Sequence, residues 1–126
     1  MAKDDKKSNS KPQISELMKK LLEPQEVVIS RYRDGEGIPR IEEFKEAVRR
    51  GFFLIKFPNT FGGSEIGVSL KGLPKEYTLN NLTSEWSPDG STVKILGKVE
   101  FQSIPTRFRA QFRLSSLEGV GNLELL

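Results

Sequence analysis

Thr106-Arg107-Phe108-Arg109-Ala110-Gln111-Phe112-Arg113-Leu114 alternates strictly between two kinds of residue. Successive side chains of a strand point to opposite faces. Phe108, Ala110, Phe112 and Leu114 therefore share one face, and Arg107, Arg109, Gln111 and Arg113 share the other. One side can bury in a core, and the other presents three guanidinium groups.

The alternation extends upstream. Val93, Ile95, Gly97, Val99 and Phe101 recur at every second position, and Ile104-Pro105 is expected to break the run before the next strand. Ser87-Pro88-Asp89-Gly90-Ser91 reads as a turn. Further back, residues 52–57 and 65–70 read as strands, joined by a glycine turn at residues 59–63, and a short strand is expected around Tyr77 and Leu79. Downstream, residues 121–126 can close the sheet with Leu123 and Leu125 inward.

The first third of the chain has a different period. Ile41, Phe44, Ala47 and Val48 mark a helix over residues 40–50, with Glu42, Glu43 and Glu46 early and Arg49 and Arg50 late, the order that complements the helix dipole. Gly51 reads as a left-handed stop. Ile14, Leu17, Met18 and Leu21 mark a second amphipathic helix over residues 13–23, with Ser10 and Gln13 resembling a capping box and Pro24 ending it. A strand is expected over residues 25–32. Residues 1–12 are polar and charged, and read as a disordered tail.

The expected order is thus α, β, α, then about five strands joined by short turns, which pair antiparallel. The fold class is α+β: one helix, at about 40–50, packed on a bent antiparallel sheet of about five to six strands, plus the N-terminal amphipathic helix. Residues 13–126 read as a single domain.

Composition narrows the chemistry. Cysteine and histidine are both absent, which removes thiolate chemistry, disulfides, the commonest general base and the commonest zinc ligand. The net charge is +3, and residues 1–12 supply most of it with four lysines against two aspartates. Any basic surface on the rest must arise by segregation of charge. There is no apolar signal region, and no stretch nears the ~18 consecutive apolar residues of a membrane span. The chain is read as cytoplasmic, without a membrane segment.

Three places can carry function. The outward sides of residues 93–101 and 106–114 bring together Lys94, Lys98, Arg107, Arg109 and Arg113 against Glu100. Guanidinium forks suit phosphates and carboxylates. Single-strand platforms interleave aromatics with the cations, but Phe101, Phe108 and Phe112 all fall on the inward side. Phe61, at the tip of its glycine turn, is a candidate contact anchor. Asp34-Gly35-Glu36-Gly37 lacks the further oxygen ligands of a calcium loop. No catalytic, cofactor or metal residues are assigned. These features point to a non-enzymatic protein-interaction module, an accessory or assembly subunit with a protein partner, compatible with a homo-oligomer. The alternative is a nucleic-acid binder contacting the phosphate backbone through the basic sheet face.

Overall fold

The computed structural model describes residues 14–60 and 62–126. The chain runs through α1 (Glu16–Leu21), β1 (Gln25–Val28), α2 (Ile41–Arg50), β2 (Phe52–Ile55), β3 (Ile66–Ser69), a single 3₁₀ turn (Lys75–Tyr77), β4 (Ser84–Trp86), β5 (Thr92–Phe101), β6 (Ile104–Arg113) and β7 (Glu118–Leu125). It is an α+β fold in which one antiparallel sheet curls around its own core. The strand order is β1-β7-β6-β5-β3-β2, with β4 also beside β5. Val28 and Lys56 exchange two backbone hydrogen bonds of 2.9 and 2.8 Å, so the two ends of the sheet meet.

The long β5–β6 hairpin is the centre of the sheet. Its register runs from Phe101↔Ile104 to Thr92↔Arg113. Gln102 and Ser103 both take positive φ, 52° and 65°, the backbone of a two-residue turn that matches strand twist. The expected break at Ile104-Pro105 does not occur, because β6 starts at Ile104 and runs through Pro105 opposite Glu100. Narrow and wide pairs alternate along an antiparallel ladder, and the closing pair 101–104 is hydrogen-bonded. Pro105 therefore occupies a position whose missing N–H costs no bond to β5.

Phe108 and Phe112 are fully buried, and Ala110 and Leu114 nearly so, as the alternation requires. Phe108 packs against Phe57 and Phe112, at centroid separations of 6.1 and 6.4 Å. Thr106 is buried too, and its hydroxyl donates to the Val99 carbonyl at 2.8 Å. From α2, Phe44 enters among Phe53 (5.6 Å), Tyr32 (6.0 Å) and Trp86 (6.1 Å). Gly51 ends α2 at φ 91°. From α1, Met18 and Leu21 are fully buried.

Several boundaries differ from expectation. Helix α1 begins at Glu16 and is capped by Ser15, whose hydroxyl accepts from the Met18 N–H at 3.0 Å. The expected capping box and tail lie outside the described residues. The strand expected over 25–32 stops at Val28. Beyond it, Tyr32 takes φ 64°, and the Arg33 guanidinium donates to the carbonyls of Ile29, Gly37 and Ser116, which fixes the chain as a loop. Around Tyr77 and Leu79 there is a 3₁₀ turn and a tight hairpin instead of a strand. Leu125 follows the inward alternation but lies 47% exposed at the end of β7. Among the described residues, no helix is long and apolar enough to cross a membrane.

Curling brings backbones into close approach. A Cβ at Gly119 would overlap the Gln111 carbonyl oxygen on β6, whereas one at Gly63 meets nothing. Gly119→Ala is therefore expected to destabilise the protein by about 1–3 kcal/mol in urea unfolding, by overpacking. Gly63→Ala is expected to be neutral or slightly stabilising.

The β4–β5 connection is organised by Asp89. Its carboxylate accepts from the Ser87 and Ser91 hydroxyls at 2.7 Å and from the Ser91 N–H at 3.0 Å. Those bonds favour the charged form and pull the carboxyl from 3.8 down to about 2. A carboxyl depressed on folding stabilises the turn above its unfolded value, and that contribution is lost as pH falls through the folded one. Between about pH 4 and pH 2 the Ser91 amide is thus expected to lose its protection from hydrogen exchange, and Asp89→Asn to abolish that dependence.

Candidate functional site

The outward faces of β5, β6 and β7 form one lattice. Its cross-strand rows are Thr92–Arg113–Glu118, Lys94–Gln111–Val120, Leu96–Arg109–Asn122 and Lys98–Arg107–Glu124. All five expected cations therefore stand on this face, on neighbouring strands. Three of them meet carboxylates. Arg107 Nε lies 2.6 Å from Glu124 Oε1, and Arg109 Nε lies 3.3 Å from Glu124 Oε2. Arg113 reaches Glu118 at 3.9 Å. Lys94 and Lys98 make no ion pair among the described residues.

Arg107 is the most committed of the cations, with a side chain only 19% exposed. It donates to the Tyr77 carbonyl at 3.0 Å, and its guanidinium carbon lies 5.7 Å from the centre of the Tyr77 ring. It thereby clamps the excursion between β3 and β4 onto the sheet. The Leu96 N–H donates to the Thr83 carbonyl at 2.8 Å and fixes the other end of the excursion.

Between these anchors lies a feature that sequence reasoning missed. Leu79-Asn80-Asn81-Leu82 is a two-residue hairpin whose asparagines take φ 53° and 67°. Leu79 and Leu82 exchange backbone hydrogen bonds of 3.1 and 2.8 Å across it. Asparagine tolerates this backbone better than most residues. The hairpin holds Leu79 and Leu82 51% and 53% exposed. A groove of about 420 Å³ runs beside it over the sheet, with Leu79 and Thr78 on one side and Leu96, Val120, Lys94 and Arg109 among its other lining residues. Val120 is itself 55% exposed. The site is an apolar strip edged by cations.

The carboxylates of β7 were also missed, although Glu118, Val120, Asn122 and Glu124 recur at every second position. That period would have placed both glutamates on the arginine face. Phe61 lies outside the described residues. Glu65, close to its turn, forms a two-point pair with Arg31 at 2.8 and 2.9 Å, which holds the Glu65 carboxyl below its ordinary value. The Asp34 carboxylate accepts from the Glu36 and Ile38 N–H groups at 2.8 and 2.9 Å, and these bonds lower it as well. A general acid at neutral pH needs the opposite shift. Among the described residues, no cluster of three or more His, Cys, Asp or Glu is placed to hold a metal. The chain matches no family model and no curated protein.

Glu124 is the anion shared by Arg107 and Arg109, so removing its charge should expose both. Glu124→Gln is expected to tighten binding of a mixed-sequence oligonucleotide about tenfold at low salt, with a steeper salt dependence than the parent. Unchanged affinity in fluorescence anisotropy would mean that Glu124 does not mask these arginines.

Proposed function

We propose that this protein is a non-enzymatic interaction module, an accessory or assembly subunit acting in the cytoplasm, and that it binds a partner protein through the outer face of β5–β7. The observation that carries this reading is the Asn80-Asn81 hairpin, which holds Leu79 and Leu82 exposed, with Leu79 lining a groove edged by cations. Exposed apolar side chains gathered at one place mark contact surfaces better than scattered ones do. Leu79, Leu82 and Val120 supply anchors, while Lys94 and Lys98 favour an acidic rim on the partner.

The phosphate-backbone reading has less support. It needs open guanidinium groups, and Arg107 is largely buried in its pair with Glu124, while Glu124 and Glu118 stand beside the more exposed Arg109 and Arg113. Five cations against Glu100, Glu118 and Glu124 leave this face a net charge of +2, a small electrostatic footprint for a nucleic-acid binder.

The test is native affinity purification with the tagged full chain, beside a Leu79→Ser/Leu82→Ser variant. Both leucines are exposed, so the fold should tolerate the change. Partner proteins retained by the parent are expected to bind the variant at least about tenfold more weakly. An unchanged set of partners, or none with the parent, overturns the reading.

A further inference from the structure

A second surface, separate from the outer-face groove, lies on the other side of β4. Among the described residues, β4 pairs with β5 alone. The Thr83 carbonyl accepts from Leu96 N–H, and the Ser87 N–H donates to the Thr92 carbonyl. Residues 83, 85 and 87 thus face β5, and by alternation Ser84 and Trp86 turn their N–H and C=O groups to the far side. An open edge of this kind is a template for another strand.

What lies across from that edge is not a strand but a helix. β2 and β3 pair along Phe52↔Ser69, but the chain before Phe52 is α2. Beside the Phe44–Trp86 ring contact, a slot of about 420 Å³ is lined by residues of both α2 and β4. Val48, Trp86 and Leu114 give it an apolar lining, and its charged lining residues are Lys45 and Arg49, both positive. Lys45 Nζ stands 5.8 Å from the centre of the Trp86 ring. The glutamates that meet these cations, Glu42 and Glu46, are neighbours one turn away on the same exposed helix face. Exposed pairs of this kind contribute little to stability, although Arg49 holds Glu46 at two points, 2.9 and 3.2 Å, so a docking carboxylate has to displace Glu46 there.

We propose that this slot takes an extended acidic segment of a partner protein, which adds to β4 as a further strand of the sheet. The segment bonds to the outward backbone groups of Ser84 and Trp86 and sets an apolar side chain on Val48 and Trp86. Its carboxylates meet Lys45 and Arg49. Backbone pairing supplies affinity, and the helix wall supplies selectivity. A second copy of this chain fits less well. Antiparallel self-pairing of a three-residue strand centres on Glu85 and sets two carboxylates opposite each other, which is unfavourable.

The test uses the isotope-labelled full chain and two synthetic peptides of equal length, one alternating valine with glutamate and the other valine with lysine. The glutamate peptide alone is expected to shift the Ser84 and Trp86 amides and to slow their hydrogen exchange about tenfold. Ser84→Pro removes an outward N–H without breaking the β4–β5 ladder. Lys45→Glu/Arg49→Glu reverses the slot's charge on an exposed face. Each variant is expected to bind the glutamate peptide about tenfold more weakly, and Leu79→Ser/Leu82→Ser to bind it as the parent does. Unshifted amides, an equal response to the lysine peptide, or parental affinity in both slot variants overturns the proposal. So does loss of binding in the leucine variant, which would place the peptide on the outer face. Protection of Trp86 that rises with protein concentration alone would assign the slot to a second copy and also overturns it.

Discussion

The two hydrogen bonds between Val28 and Lys56 hold together the ends of a sheet whose strands are otherwise joined only edge to edge. Because those ends meet, the inward residues of β5, β6 and β7 face the inward residues of β1, β2 and β3 across one shared interior. Phe57 on one side and Phe108 on the other are in edge contact only because the sheet comes round. The curl in turn depends on places where β7 approaches β6 too closely for any side chain, of which Gly119 against Gln111 is the tightest. Backbone closeness and aromatic volume are thus two halves of one packing solution: glycine where the sheet bends, phenylalanine where it encloses space.

Closing the sheet also decides what its outside looks like. A flat sheet would offer both faces to water or to partners. A curled one leaves a single convex face, and on β5–β7 that face carries nearly all the charge the strands hold. Glutamates on β7 meet arginines on β6 one strand away, two carboxylates against three guanidiniums, so the face is partly neutralised at its centre and more strongly cationic toward Lys94 and Lys98. Leu79 and Val120 sit beside Lys94, where this charge balance is least complete. That coincidence, rather than the number of basic residues, is what distinguishes the groove from an ordinary solvated surface.

The strands that bury one face were legible in the sequence because burial imposes a period of two. Phe108, Phe112, Val93 and Val99 all stand where alternation puts them. Helix α2 was legible for the same reason at its own period, with its glycine stop. Strand β4 was not, since three residues flanked by Thr83 and Ser87 carry no measurable period and owe their extended form to β5 beside them. The halt of β1 at Val28 was hidden too, because it depends on Arg33 bonding to carbonyls on both sides, one of them 83 residues away. At the candidate site, the cations could be placed on one face from sequence. Their neutralisation was legible only in part, because the period of two puts Glu118 and Glu124 on an outward face but their meeting with the arginines depends on β7 lying next to β6. The leucine hairpin was hidden in a stretch where two asparagines signal only a turn.

The contacts of α1 and β1 bear on the order in which the protein can be assembled. Ser15 bonds Gln102, the Leu22 carbonyl accepts from Asn122, and β1 pairs with β7. The earliest-made elements of the described fold therefore find most of their partners among the latest. At ordinary elongation rates of ~5–20 residues per second, α1 and β1 emerge roughly 5–20 s before the strand that holds them. During that interval Met18, Leu21 and Val27 have no complete core to enter, and the β5–β6 hairpin, whose pairing is the most local in the sheet, is the natural seed on which the first strand later closes.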